Sequence, residues 1–290
     1  MRPIASVLLS VIFFLASCSQ VPQESGPPIE VHFCPREDCA QLLASFINGS
    51  ADCALYDVSR QVVKDALQEA RVVTEQRNRH HLPVARAPLR PGLMHDKFCV
   101  KDGAVWTGSY NPTNSSLHNN IIVIHSKSLA RNFGDEFEEL WTGRSDRKVR
   151  HPIVRYNNAT VETRFCPEDG CERRVLDALS RANTSIRFAL YSFTSDAISD
   201  LLVAKHRAGV RVSGLVGTRN RWDEFDKLRG AGIAFVHNAS IHDKVFIIDN
   251  RTVITGSYNP TGNGDGRNDE NVVIISDEHI SSTFCEEFGC

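Results

Sequence analysis

Short apolar runs rich in β-branched residues alternate with longer amphipathic stretches through the C-terminal part of the chain. Val161–Phe165, Ser185–Tyr191, Val210–Val216, Ile233–Val236, Lys244–Ile248, Thr252–Thr255 and Val272–Ile275 have the length and composition of strands, each bounded by turn residues. Apolar positions at helical spacing predict helices over Glu172–Arg181, Asp196–Arg207, Trp222–Arg229 and Asp277–Phe288. This alternation indicates an α/β fold in which helices cover a mixed sheet.

The N-terminal part repeats the pattern in the same order. "FCPREDC", "CALYDVS" and "MHDKFCVKDGAVWTGSYNPT" are matched by "FCPEDGC", "FALYSFT" and "IHDKVFIIDNRTVITGSYNPT". "NNIIVIHSKSLARNFGDEFEEL" and "ENVVIISDEHISSTFCEEF" then close the two series. Ordered self-similarity of this kind marks a tandem duplication. Two similar α/β halves are therefore expected, residues 31–145 and 159–290, joined by a charged, Asn-rich linker over 146–158. The halves differ most between Arg71 and His95. Where the second half has a helix and a strand, the first has "QRNRHHLPVARAPLRPGL", with three prolines, no acidic residue, and Arg77, Arg79, Arg86 and Arg90. Such a loop, placed just before the His-Asp-Lys segment, is expected to form a positive lip that holds substrate phosphates.

Hydrophobic residues make up 41% of the 290, enough for a sizeable core, and a net charge of −2 excludes a chain that is basic all over. Any nucleic-acid contact must come from local patches. The opening "MRPIASVLLSVIFFLASC" has one Arg, an apolar run from Ile4 to Leu15 and small residues before Cys18, the layout of a secretory signal. The run is too short to span a bilayer comfortably. "LASC" resembles the lipobox of prokaryotic lipoproteins, which implies a signal over residues 1–18 cleaved before Cys18, with lipid on that thiol. Residues 19–30 are polar and Pro-rich and read as a tether, so the expectation is an exported protein anchored on the outer side of a membrane. Of nine cysteines, removing Cys18 leaves eight, an even number suited to structural disulfides in that compartment, with the pairing open. The alternative, a zinc site built from the two Cys-Pro-x-x-x-Cys segments, departs from the usual ligand spacing.

Alternation along a strand puts His95 and Lys97 on one face, and His242 and Lys244 likewise. Asp102 and Asp249 follow their histidines by seven positions, an odd spacing that sends them to the other face and marks them as structural. In the "GSYN" segments Ser109 and Asn111, and Ser257 and Asn259, again share a face. Hydroxyl and amide donors beside two ammonium groups suit a phosphate: its oxygens take fixed donors, and positive charge meets the negative charge that builds during reaction.

His-x-Lys-x4-Asp followed by Gly-Ser-x-Asn, present twice, resembles the phospholipase D superfamily over nearly all of the chain beyond the tether. The resemblance implies two halves about a pseudo-twofold axis, with both motifs meeting at one active site. Within the superfamily these segments look most like the small bacterial endonucleases and their mitochondrial relatives, which carry one motif and act as homodimers. This chain resembles such a dimer fused in tandem, implying a site complete in a monomer. The resemblance further implies a two-step reaction needing no metal and no cofactor. One histidine attacks phosphorus, and the other protonates the leaving oxygen and later activates water. Glu270, in "NDENVVII", stands where the first half has Asn119, in "HNNIIVI". In the similar tyrosyl-DNA phosphodiesterases the second half carries Glu and the first an amide, each crossing to the opposite half's histidine. By that likeness His95, with Glu270, is the nucleophile and His242, near Asn119, the acid.

The endonuclease resemblance and the Arg-rich loop favour a nucleic acid as substrate; the expected membrane anchor keeps a phospholipid as the alternative. A non-catalytic protein that only keeps the fold is disfavoured, because both sets of motif residues are intact.

Overall fold

A computed structural model describes residues 21–90, 92–144, 148–218 and 223–290. Cys18 and the expected signal lie outside the described residues, as does Trp222 at the start of one expected helix. The first half comprises β1 (Gln23–Glu24), β2 (Glu30–Cys34), α1 (Cys39–Ile47), β3 (Asp52–Leu55), α2 (Gln61–Ala66), β4 (Arg71–Val73), β5 (Lys97–Lys101), β6 (Ala104–Gly108), β7 (Asn119–Ile124) and α3 (Lys127–Thr142). The second comprises β8 (Ile153–Tyr156), β9 (Ala159–Cys166), α4 (Cys171–Ser180), β10 (Ser185–Leu190), α5 (Asp196–Arg207), β11 (Arg211–Val216), α6 (Phe225–Gly230), β12 (Ala234–His237), β13 (Lys244–Ile248), β14 (Thr252–Gly256), α7 (Gly262–Gly266), β15 (Glu270–Ser276) and α8 (Glu278–Phe288).

Among the described residues, the first sheet runs β2-β7-β6-β5-β3-β4 and the second β1-β8-β9-β15-β14-β13-β10-β11-β12. The six strands of the first map in order onto β9, β15, β14, β13, β10 and β11, so the duplication read from the sequence is a duplication of topology. Both sheets are mixed: β3–β4 and β10–β11 pair parallel, while β5–β6–β7 and β13–β14–β15 are antiparallel meanders. The β5–β6 and β13–β14 hairpins turn through Asp102-Gly103 and Asp249-Asn250, all four at positive φ (48°, 78°, 52° and 50°). Asp, Asn and Gly tolerate that region, which primed hairpin turns require.

Helices α3 and α8 lie in the middle of the molecule. Phe133, Phe137 and Leu140 of the first and Phe284 and Phe288 of the second share a core with Phe98 and Phe165 from the two sheets. On the outer side of each sheet a separate apolar cluster packs α1 and α2, or α4, α5 and α6. Burying both faces of each sheet explains why β7 and β15 are buried along nearly their whole length.

Two expected spacers are structured. The linker over 146–158 contains β8, which pairs with β9, and Tyr156 is fully buried there. The tether over 19–30 contributes β1, which pairs parallel with β8, and Tyr156 Oη donates to the Pro27 carbonyl at 2.7 Å. The apolar alternation Ile153-Val154-Arg155-Tyr156 supplies an edge, and the Pro-rich segment docks on it. The eight cysteines pair as Cys34–Cys39, Cys53–Cys99, Cys166–Cys171 and Cys285–Cys290. Each Cys-Pro-x-x-x-Cys segment thus closes on itself before α1 or α4, which leaves neither with a thiolate for zinc.

Candidate active site

The two halves meet along their motif segments through matched backbone contacts. Residues 94 and 269 form one parallel bridge and residues 118 and 241 the other. Through these, the N–H of His95 donates to the Asp269 carbonyl and that of His242 to the His118 carbonyl, both at 2.9 Å. Each histidine is therefore fixed by the opposite half at the entry to β5 or β13, as a pseudo-twofold axis demands.

The side chains cross in the same way. His95 Nδ1 lies 3.4 Å from Glu270 Oε2, in electrostatic contact but without a formed hydrogen bond. His242 Nδ1 lies 2.7 Å from Asn119 Oδ1. The Asn119 oxygen is aimed by its own amide nitrogen, which donates to the Leu117 carbonyl at 2.9 Å, so His242 carries hydrogen on Nδ1. Glu270 is fully buried and accepts from the Asn259 N–H and the Asn268 side chain, each at 2.8 Å. Burial alone would raise its pKa; His95, the Asn268 amide and Lys97 outweigh burial and keep it ionised.

Lys97 and Lys244 are buried, and each ammonium donates to the carbonyl of its own motif histidine. Lys244 Nζ also reaches 3.4 Å from His242 Nε2. Burial of these groups, more than their mutual repulsion, sets the electrostatics of the site. Burial and then Lys97 push the His95 pKa down to about 4, despite Glu270. Burial, Lys244 and Lys97 hold His242 well below its ordinary value. Burial lowers Lys97 strongly, and burial brings Lys244 down to about 7 despite Asp243 and Glu270. A site with this excess of buried donors and positive charge is built for an anion.

The Gly-Ser-x-Asn segments divide their work. A Cβ at Gly108 would stand 2.2 Å from the Asn120 carbonyl, and one at Gly256 2.3 Å from that of Asn271, so only glycine lets these backbones meet. Ser109 and Ser257 are fully buried and accept the N–H groups of Asn120 and Asn271, at 3.1 and 2.9 Å. Ser109 Oγ also donates to Asn119 Oδ1 at 3.1 Å. The expected direct serine–phosphate contact is thus revised for Ser109: its hydroxyl braces the partner of His242. Asn111 Oδ1 and Asn259 Oδ1 are buried without a partner, which leaves those amides as the motif's open polar groups.

The arginine-rich loop is only partly the expected phosphate lip. Arg90 is buried and faces Glu168, Asp269 at 3.4 Å and Glu136 at 3.8 Å, so it counters carboxylates inside the protein. Arg86 stacks 3.8 Å over the Trp141 ring, and Arg79 Nε donates to the Ala85 carbonyl at 3.0 Å. Arg77 is the one near the site, 5.7 Å over the ring of Tyr56. The sequence reading missed Tyr56 itself and its counterpart Tyr191. Their rings stand 4.9 Å from His95 and 4.6 Å from His242, each with its motif lysine 5.1 Å over the ring. The signal was the repeated "ALY", whose Ala-Leu ends β3 and β10 and puts Tyr56 and Tyr191 just past them.

Asp102 and Asp249 sit in the hairpin turns away from the histidines. Asp249 accepts from the N–H groups of Asn183, Thr184 and Ser185 at 2.8 to 2.9 Å, which ties the turn to the start of β10. Among the described residues Asp102 accepts no comparable set.

With this geometry in place, comparison with known proteins agrees on the class. Residues 46–141 and 175–289 match the family described as "Cardiolipin synthase, PLD-like domain". The chain belongs to this phospholipase D-like family and is a duplicated member of it. It is 32% identical to a protein named phospholipase D from Rickettsia typhi over 151 residues, which are 49% of this chain and 74% of that one. It is also 32% identical to a mitochondrial cardiolipin hydrolase of Chlamydomonas reinhardtii over 158 residues, 44% of this chain and 71% of the relative. In fold it resembles the phosphatidylserine synthase of Haemophilus influenzae, with a TM-score of 0.62 and 11% identity over 89% of this chain and 85% of that one. The protein is thus a hydrolase of the phospholipase D superfamily, with phosphodiesterase-type chemistry.

Proposed function

We propose that the protein is a metal-independent phosphodiesterase that works through a phosphohistidine on His95, acting on single-stranded nucleic acid from an anchored position outside the cell membrane. The observation that carries this reading is the crossed pairing of two like imidazoles with unlike partners, Glu270 for His95 and Asn119 for His242.

Ionised Glu270 favours hydrogen on Nδ1 of neutral His95, leaving the Nε2 lone pair to attack phosphorus. The resulting cationic phosphohistidine is stabilised by the carboxylate. A neutral amide gives His242 no such charge partner. Instead the phosphodiester anion, entering between Lys97 and Lys244, offsets their positive charge and allows Nε2 of His242 to take up a proton. That proton passes to the leaving oxygen as the P–O bond breaks. His242, now neutral, then takes a proton from water; the hydroxide attacks phosphorus, the P–N bond breaks and His95 is regenerated. Asn111 and Asn259 donate from Nδ2 to the non-bridging oxygens.

The nucleic-acid reading is supported by Tyr56 and Tyr191 flanking the two histidines, with Arg77 over one ring, a wall on which flanking bases can stack while cations hold phosphates. A phospholipid substrate is favoured instead by the names of the relatives and by Val84 and Leu89, which are 48% and 68% exposed on the first-half loop. The test is incubation of the chain lacking residues 1–18 with end-labelled single-stranded DNA in excess EDTA, and separately with phospholipid vesicles, beside His95→Ala. Cleavage of DNA by the unsubstituted chain alone is expected. Turnover of vesicles with DNA intact would establish the lipid reading.

A further inference from the structure

The pseudo-twofold symmetry is broken beside the two histidines. His118 and Asp269 occupy equivalent positions, one residue before Asn119 and Glu270, and their carbonyls accept the equivalent N–H groups of His242 and His95. Their side chains meet opposite surroundings. His118 Nδ1 lies 2.6 Å from Asp243 Oδ2, and its Nε2 lies 2.9 Å from Glu287 Oε1. Both ring nitrogens face carboxylate oxygens, which accept only, so the ring bears two protons and a positive charge. The clamp continues outward on both sides. Asp243 Oδ1 accepts from Asn120 Nδ2 at 2.8 Å, and Glu287 pairs with Arg36 at 2.7 Å. Phe33 and Phe288 pack around the imidazole, with centroids 6.1 and 5.4 Å away.

On the other side, among the described residues, no cation bridges the two equivalent carboxylates. Asp269 faces Arg90 at 3.4 Å, and neither carboxylate oxygen of Asp96, the counterpart of Asp243, has a hydrogen-bond partner. One half-site is held by a cation that bridges two carboxylates, whereas in its mirror image Arg90 pairs with Asp269 and leaves Asp96 without a hydrogen-bond partner.

We propose that His118 is a positioning residue for the acid half-site: its imidazolium locks Asp243, the residue between His242 and Lys244, to Glu287 of α8 and so fixes the direction in which His242 delivers its proton. Three constraints converge on His242 from His118 and its neighbour Asn119, two of them from His118 itself. The His118 carbonyl holds its backbone, the neighbouring Asn119 holds its ring, and the His118 side chain holds the next residue in the motif. The nucleophile needs only a lone pair aimed at phosphorus, whereas the acid must meet an oxygen whose place depends on the leaving group. The more rigid clamp lies on the side with the stricter demand. The inference rests on His242 being the acid.

The experiment compares the release of two leaving groups under single-turnover conditions with the enzyme in excess. The substrates are the dinucleotide TpT, whose alkoxide leaving group needs a proton, and the p-nitrophenyl ester of thymidine 5′-phosphate, whose phenolate does not. Phosphatidylcholine and phosphatidyl-p-nitrophenol form the equivalent pair if the unsubstituted chain turns over lipid only. His118→Gln is expected to slow release from the alkyl ester at least tenfold and from the aryl ester less than threefold. Glu287→Gln, which removes one arm of the clamp and leaves His118 and Asp243 in place, is expected to show a smaller effect of the same selectivity. Equal losses on both esters, or none on either, would overturn the positioning role. His242→Ala serves as the reference: a loss confined to the alkyl ester upholds the acid assignment, and equal losses would remove the premise.

Discussion

Glu270 accepts from the Asn259 N–H and the Asn268 amide, and His95 is its remaining neighbour at 3.4 Å. Replacing its charge by an amide removes the electrostatic support for a cationic phosphohistidine and leaves the shape. Glu270→Gln is expected to lower kcat roughly 10- to 100-fold, the equivalent of losing one charge-assisted hydrogen bond of about 1.5–3 kcal/mol. Single-turnover kinetics check it, and a change below twofold would contradict the role. Protonation sets a second expectation. The nucleophile must be neutral, and His95 has its pKa pushed down to about 4; the phosphate needs the ammonium of Lys244, brought down to about 7. The acid His242 must also gain a proton and is held below its ordinary value, so kcat/KM should rise through about pH 4 and be falling by about pH 7, and a profile flat up to pH 9 would contradict this. Much of this chemistry was legible, because each motif residue recurs at the same spacing in both halves. The fate of Arg90 was not: the carboxylates that claim it, Glu136, Glu168 and Asp269, come from distant parts of the chain and converge only in the fold.

Among the elements, the motif strands are held at their far ends by turns whose residue types answer to backbone conformation. Asp249 sits at φ 52° and gathers three N–H groups from the start of β10. Asp249→Ala should cost about 1.5–3 kcal/mol in urea unfolding, the scale of hydrogen bonds to a charged acceptor, while kcat per folded molecule stays within twofold. A loss of activity without a loss of stability would return Asp249 to the chemistry. The His118 clamp gives a pH-dependent counterpart. Burial opposes the charge on His118, but Asp243 and Glu287 raise its pKa to about 9, above the 6.5 of an ordinary histidine. Because the folded value is the higher, the stabilisation is fully present below about pH 6.5 and is lost as pH rises through about 9. The stability gap between the unsubstituted chain and His118→Gln should narrow across that window, and a constant gap would show that the charge is not what stabilises. Strand and helix positions in the second half follow their apolar periodicity closely. Among the departures are β1 and β8, whose pairing depends on a sheet edge that composition alone does not reveal; a Pro-rich, polar segment reads as a tether until an edge is there to receive it.

At the scale of the whole molecule, two sheets with equivalent strand order bring one histidine and one lysine each to a shared centre, so a single chain holds both half-sites. Specific activity should accordingly be independent of protein concentration across a range in which light scattering reports a monomer; activity that rises with dimerisation would show that the internal pairing is not sufficient. The tandem repeat made this arrangement readable, since the order of matched segments fixes the order of matched strands. The measurement that tests the account most directly is the location of the covalent phosphate. His242→Ala, which keeps the nucleophile and lacks the group that activates water, would be mixed in excess EDTA with the phosphorus-labelled p-nitrophenyl ester of thymidine 5′-phosphate, whose leaving group needs no proton from the missing acid, then quenched in alkali and mapped by mass spectrometry. A phosphohistidine is expected on the peptide containing His95. Label on His242 in the reciprocal His95→Ala protein, with none on His95 in His242→Ala, would contradict it.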